Sequence, residues 1–380
     1  MEKNVVIAGY ARSPFHFAGK GDLATVRPDD LAALTVRELL KRTGIDPKDI
    51  EDLILGCAFP EGEQGFNVAR LVVNIAGLPL SVGGVTVNRF CGSSMQAIHQ
   101  AAGAIKMNAG HVFICAGVES MSRIPMGGFN PLPNPKLAKE YPQAYIGMGE
   151  TAENLSQKYQ IARVRQEQFA LSSQQKAAAA RAAGKMKDEI VPIATPEGLT
   201  VSEDGCIRPE TTPEALAGLK PSFDQFGTVT AGTSSPLTDG ASAVLVVSEE
   251  YARAHGLKIM ARIKSTAISG CAPEIMGIGP VESTRKALAR AKLTIQDIDI
   301  AELNEAFAVQ ALSVLQELGL DEAKVNLDGG AIALGHPLGA SGARITGKAA
   351  SLLKREGKQF ALATMCIGGG QGIATILEAA

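Results

Sequence analysis

The chain has 380 residues, of which 46% are hydrophobic and 20% charged, with no Trp and a formal net charge of −2. A chain this long holds two or three domains with well-buried cores, and its near-neutral charge gives no bulk attraction to nucleic-acid phosphates or an anionic membrane. No run approaches the roughly 20 apolar residues of a membrane-spanning helix, so neither nucleic-acid binding nor membrane insertion is expected. The opening "KNVVIAGYARSPF" reads as a strand running into a loop rather than as a leader peptide.

In chain order, the first third alternates strand and helix signals. Val5 to Gly9 is a β-branched run, and "DDLAALTVRELLKRTG" carries apolar residues at helical spacing from Asp29 to Thr43 before Gly44. "EDLILGCA" and "GGVTVNRF" read as buried strands, the second ending at Phe90. Ser93 to Met107 reads as a helix and "HVFICAGVES" as a further strand. Strands separated by helices imply a parallel sheet with both faces covered.

The last third repeats this order. "VESTRKALARAKLTIQDIDIAELNEAF" matches "DDLAALTVRELLKRTGIDPKDIEDLILGCAF" as helix, then I-x-x-x-D-I, then strand. "VNLDGGAIALGHPLGASGARITGKAA" falls where "VTVNRFCGSSMQAIHQAA" fell, and "FALATMCIGGGQG" where "HVFICAGVESM" fell. Three matched blocks in one order indicate a duplicated core. Between them, from about Glu119 to Asp239, lies a Pro/Gly-rich stretch, then one long polar helix signal from Thr151 to Gly184, then Pro-punctuated loops. This is expected to be an insertion over the core that contacts substrate. The expected divisions are 1–118, the inserted 119–239, a returning strand and helix at 240–259, and 260–380.

The six cysteines are scattered with no C-x-x-C pair, so no metal site is expected, and the acidic composition points to a reducing cytoplasm. Cys57, Cys115, Cys206 and Cys271 read as packing residues. Cys91, in "VNRFCGSSMQA", stands at a strand-to-helix junction, where helix N–H groups and the dipole are expected to lower its pKa and to hold an oxyanion. A small cysteine packed in a tight turn is the alternative. His336, in "GGAIALGHPLGASGAR", can polarise a thiol or donate to a developing oxyanion; a structural histidine in a Gly-rich loop is its alternative. Cys366, in "TMCIGGGQG", precedes three glycines whose bare backbone, Gly368 to Gly370, can present N–H groups to a reacting oxygen. Asn304 and Glu305, in "ELNEAF", end a buried strand, either as site residues or as a helix cap.

Together these four segments resemble the thiolase family over essentially the whole chain. The resemblance implies the thiolase fold: α/β, two duplicated βαβαβαββ halves in a five-layered α-β-α-β-α core with an inserted loop domain. It implies Cys91 as nucleophile and site of an acyl-thioester, Cys366 as acid/base and His336 as activator of Cys91 and oxyanion donor. Asn304 holds a water in the oxyanion hole, and Gly368 supplies a backbone N–H to it. Met148, Arg208, Ser235 and Phe307 are implied as substrate contacts.

The wording of "NRFCGSSMQAIHQAA", "IRPETT", "GTSSPLTDGA", "IMGIGPV" and "MCIGGGQG" is more similar to degradative 3-ketoacyl-CoA thiolases of fatty-acid β-oxidation than to the acetoacetyl-CoA branch. Gly147-Met148, where many biosynthetic relatives carry His-Met, points the same way; acetoacetyl-CoA thiolase remains the alternative. The implied co-substrate is coenzyme A with acyl-CoA, with no permanently bound cofactor. The implied assembly is a homodimer or homotetramer, and docking on a β-oxidation multienzyme partner is left open. A decarboxylating ketosynthase fits less well, because it does not need a base at Cys366. A non-catalytic acyl-CoA-binding protein would have lost one of the reactive residues.

Overall fold

The structure is a computed structural model that describes residues 3–380. Strands β1 (Val5–Arg12), β2 (Asp52–Gly56), β3 (Gly83–Val87), β4 (Val112–Ser120) and β5 (Thr238–Ser248) lie in the order β3-β2-β4-β5-β1. β2 is parallel to β3 and β4, and β5 runs antiparallel to β4 and β1. Strands β6 (Ala261–Gly270), β7 (Ile300–Leu303), β8 (Phe360–Ile367) and β9 (Gln371–Glu378) follow in the order β6-β9-β8-β7. There β7 and β8 are parallel and the other pairs antiparallel.

The two halves therefore share one plan, with β1, β2, β4 and β5 answered by β6, β7, β8 and β9. The place of β3 is taken in the second half by a single parallel bridge, Ala301 to Val325. The halves join edge to edge where β1 meets β6 antiparallel, at Val6–Arg262 and Ile7–Ala261.

The longer helices are α1 (Pro28–Thr43), α2 (Val68–Ile75), α3 (Ser93–Lys106), α4 (Met148–Tyr159), α5 (Arg163–Ala182), α6 (Gly279–Ala291), α7 (Ala308–Leu318) and α8 (Leu338–Glu356). α1 and α2 cover the outer face of the first half-sheet through Leu31, Val36, Leu39 and Val72, packed on Leu53, Leu55 and Val247. α6 and α7 do the same for the second through Val281, Leu288, Val309 and Leu312. α3 and α8 lie between the half-sheets, where Met95, Ile98, Ile345 and Leu352 share one core with residues of β1, β4 and β8. The layers are α, β, α, β, α, the thiolase fold.

α8 is buried along almost its whole length, which its small residues permit. A Cβ on Gly342 would stand 2.4 Å from the backbone nitrogen of Met95 on α3, so the close approach of the central helices requires glycine there.

Two local expectations need correction. The helix signal from Thr151 to Gly184 is two helices, α4 and α5, broken at Gln160, which takes a left-handed conformation (φ +53°). No Gly or Pro marks this break. It is held by side-chain hydrogen bonds: Ser156 Oγ and Gln166 Nε2 both donate to the carbonyl of Ile161, and both also meet Thr228 Oγ1, at 2.8 and 2.9 Å. β3 stops at Val87 rather than Phe90, because residues 88–93 fold into a tight turn.

Candidate active site

The turn after β3 is built by its side chains. Asn88 Oδ1 accepts the N–H of Phe90 at 2.8 Å, and Ser93 Oγ accepts the N–H of Arg89 at 2.9 Å while donating to the carbonyl of Phe90 at 2.6 Å. Phe90 is thereby held at φ +41°, a strained conformation of the kind found at functional sites. Cys91 follows, just before α3. A Cβ on Gly92 would meet Ile367 Cδ1 at 2.6 Å, so the turn presses directly on the end of β8 beside Cys366. The two cysteines, 275 positions apart, are brought together by packing between the halves.

The thiol of Cys91 accepts hydrogen bonds from its own N–H and from that of Gly368, both favouring thiolate. Burial outweighs them, and with the charge of Glu119 the thiol is pushed up to about 11. The lowered pKa expected at this strand-to-helix junction is thus not found, because desolvation exceeds the help of two N–H groups. Cys366 is likewise pushed well up, by burial first and then by Cys91. At neutral pH both are thiols, so Cys91 could act as a nucleophile only if a base took its proton.

His336 suits that role. Its backbone N–H donates to Thr238 Oγ1 at 3.0 Å, and its Nδ1 lies 2.6 Å from Ser341 Oγ. The Ser341 hydroxyl donates to the carbonyl of Pro337 at 3.0 Å, so it receives the proton on Nδ1, and Nε2 keeps its lone pair. Burial, and secondarily Arg344, pushes His336 down to about 3, leaving the ring neutral. Asn304 Nδ2 lies 3.3 Å from Nε2, and Asn304 Oδ1 is buried with no protein partner, free to hold a water or a substrate atom.

Cys91, His336 and Cys366 line one cavity of about 410 Å³, walled largely by Met121, Met126, Met148, Met276, Phe223 and Phe307. Met148, Ser235 and Phe307 face it, the last packed edge-on against Phe223 with ring centroids 5.8 Å apart. Asn304 reaches the site through His336 and Gly368 through its N–H. Arg208 does not line the cavity: it is exposed, and its guanidinium lies over the ring of Phe17, 4.9 Å from the centroid.

Three neighbouring residues went unremarked in the sequence. Ser341 lies four residues after Pro337 on one helix face, a spacing that marks it as a back-bonding hydroxyl. Glu119 ends the otherwise apolar strand "VFICAGVES", and a charge in such a strand is a signal in its own right. Gln64, in a loop with no pattern, gave none. Glu305 accepts from Ser173 Oγ at 2.7 Å, Asn326 Nδ2 at 2.7 Å and the N–H of Ile332 at 3.1 Å, bracing α5 against the segment that leads to His336.

A buried, neutral histidine and two thiols lining one cavity, on a doubled five-layer core, define an acyl-transfer enzyme of the two-cysteine type. Residues 5–250 match the N-terminal domain of thiolase and residues 257–379 its C-terminal domain. The chain is 48% identical to a 3-ketoacyl-CoA thiolase of Bacillus subtilis, covering all of both chains. It is 50% identical to 3-ketoacyl-CoA thiolases of Shewanella frigidimarina, over 99% of each chain, and of Vibrio cholerae, over 98% of this chain and 99% of that one. The chain belongs to the thiolase family.

Proposed function

We propose that the protein is a 3-ketoacyl-CoA thiolase, which cleaves 3-ketoacyl-CoA with coenzyme A to acetyl-CoA and a shortened acyl-CoA in fatty-acid β-oxidation. The observation that carries this is the convergence of Cys91, His336 and Cys366, from both halves, on one largely apolar cavity. The names of relatives about half identical over their full lengths support it.

In the first half-reaction Cys91 passes its proton to Nε2 of His336 as its sulfur attacks the ketone carbon. The oxyanion takes the N–H groups of Cys91 and Gly368, which already point at the sulfur. The carbon–carbon bond breaks, and the shortened acyl group stays on Cys91 as a thioester. The acetyl-CoA enolate rests against the now protonated His336 and a water held by Asn304, and Cys366 protonates its carbon. In the second half-reaction the Cys366 thiolate takes the proton of coenzyme A, whose sulfur attacks the acyl thioester. Cys91 leaves and recovers its proton from His336. Two thiols are needed because one works covalently and the other moves protons.

Coenzyme A is a co-substrate in this scheme, and no resident cofactor enters it. Met148, Ser235 and Phe307 contact the substrate from the cavity wall. Arg208, being off the wall, is assigned no more than a contact with the exposed end of coenzyme A. The inserted residues 119–239 form the cover. The proposed location is the cytoplasm; no helix among the described residues is long and apolar enough to cross a membrane. A homodimer or homotetramer is proposed because β3 is an open sheet edge beside the exposed Phe66 and Leu80.

The test is thiolysis of 3-ketoacyl-CoA substrates of several chain lengths, with Cys91→Ala alongside. Activity on medium or long chains, lost in the variant, is expected. Activity on acetoacetyl-CoA alone would move the enzyme to the short-chain branch.

A further inference from the structure

Glu119 lies outside the cavity, buried at the end of β4, yet it joins the segment after β2 to the turn that carries His336. Its Oε2 accepts the N–H of Ala58 at 2.8 Å and that of Gly339 at 2.9 Å. Its Oε1 accepts the N–H of Phe59 at 3.2 Å and Gln64 Nε2 at 2.7 Å. Cys57 Sγ stands 3.7 Å from Oε1. Gln64 is itself fixed: its Oε1 accepts the N–H of Ser120 at 2.6 Å, and its Nε2 also donates to the carbonyl of Phe59 at 2.9 Å. Every partner of Glu119 is a donor and both its oxygens accept, the pattern of a carboxylate.

Gly339 is three residues beyond His336. A Cβ there would stand 2.6 Å from the carbonyl oxygen of Val118 and 2.8 Å from Cys57 Cα, so the turn carrying His336 lies directly against β4 and the end of β2. His336 belongs to the second half and Cys91 to the first. We propose that Glu119 is a positioning residue for acyl transfer: it ties the His336 turn to the first half and so sets the base against the nucleophile. This rests on the thiolase reading of the site.

The argument is geometric. A charge-assisted bond holds its donors more firmly than a neutral one, and Glu119 makes such bonds at one oxygen to the segment after β2 and to the first turn of α8. Misplacing a reacting group by about 1 Å costs on the order of 100-fold in rate, so a joint at this point governs turnover more than binding. Glu119 also acts on Cys91 through its charge, in the direction that favours the thiol. That second, smaller effect gives a substitution at Glu119 a readout at Cys91 separate from turnover.

The test compares wild type with Glu119→Gln in three measurements: kcat and KM for thiolysis, the thermal melt, and the pH dependence of Cys91 alkylation by iodoacetamide. Gln replaces one acceptor oxygen with an NH2 group facing donors, and removes the charge. The titratable groups around Cys91 are His336, Cys366 and Glu150 on the cavity wall and Glu119 outside it; only the last changes. The expected result is a fall in kcat of about 10- to 100-fold, KM within about threefold, and an alkylation midpoint moved to lower pH. Turnover within about twofold of wild type, a loss carried by KM alone, or an unmoved midpoint would overturn the proposal. If Glu119→Gln fails to melt cooperatively, Glu119→Asp decides. It keeps the charge but retracts it, so kcat should fall while the midpoint stays, and wild-type kcat would overturn the assignment. If the wild type cleaves no 3-ketoacyl-CoA, the thiolase reading fails, and the alkylation midpoint still reports on Glu119.

Discussion

His336 Nδ1 lies 2.6 Å from Ser341 Oγ, and that hydroxyl turns its own proton to the carbonyl of Pro337 at 3.0 Å. This arrangement puts the proton on Nδ1 and leaves the Nε2 lone pair facing Asn304, as the proposed base requires. Ser341→Ala strands a buried N–H, a loss of about 1–3 kcal/mol, and frees the ring to change tautomer. The expected outcome is a kcat lowered by roughly 5- to 150-fold with KM nearly unchanged, and recovery in Ser341→Thr. Steady-state kinetics on the three proteins checks it.

His99 and His336 are both pushed down to about 3 by burial. Their folded pKa values lie below the ordinary value near 6.5, so the unfolded chain binds protons that the folded chain refuses. Their contribution to stability is complete above about pH 6.5 and is lost as pH falls toward 3, by about 1.4 kcal/mol per histidine per pH unit. The Cys91 thiol has the opposite sign. Raised to about 11 from an ordinary 9, it contributes stability below pH 9 that is lost as pH rises toward 11. Thermal melts across pH 4 to 10 should fall away on both sides, and His99→Gln should flatten the acid limb.

Cys366 is buried, its thiol pushed well up, and it lines the cavity with Cys91; in the proposed scheme it gives a proton to carbon. Cys366→Ala should lower thiolysis by about 100- to 10,000-fold, the range for loss of a general acid–base. Cys91 in that variant should still react with iodoacetamide. Equal loss of both reactivities would mean that the substitution had disturbed the Cys91 turn.

Glu305 meets three donors from three segments. In Glu305→Gln an NH2 group faces donors, which costs about 1–3 kcal/mol. A melting temperature lowered by several degrees is expected, and an unchanged melt would remove its bracing role.

The duplicated core was legible because both halves repeat one order of helix, I-x-x-x-D-I and strand, and because Gly44 closes α1 in a left-handed cap (φ +66°) where the pattern ends. Cys91, His336 and Cys366 were legible as candidates because each stands within two residues of a glycine, at or near the end of an element. That the second-half counterpart of β3 forms no strand was not legible. In "VNLDGG" the Asn326 side chain exchanges two hydrogen bonds with the backbone of Leu303, taking the place of the strand ladder after Val325. The break between α4 and α5 was hidden for a similar reason: Gln160 is an ordinary helix residue, and the chain around it is held by side-chain bonds of Ser156 and Gln166 to Ile161 and Thr228. The raised pKa of Cys91 was hidden because helix N–H groups can be read from spacing, whereas the depth of burial cannot.

The central claim is covalent acyl transfer through Cys91. Intact-protein mass spectrometry after brief exposure to a 3-ketoacyl-CoA, with no coenzyme A added, tests it most directly. The account predicts a mass gain equal to the shortened acyl group, mapped to the Cys91 peptide, discharged by added coenzyme A and absent in Cys91→Ala. Turnover without such an adduct, or an adduct that persists in Cys91→Ala, would contradict it.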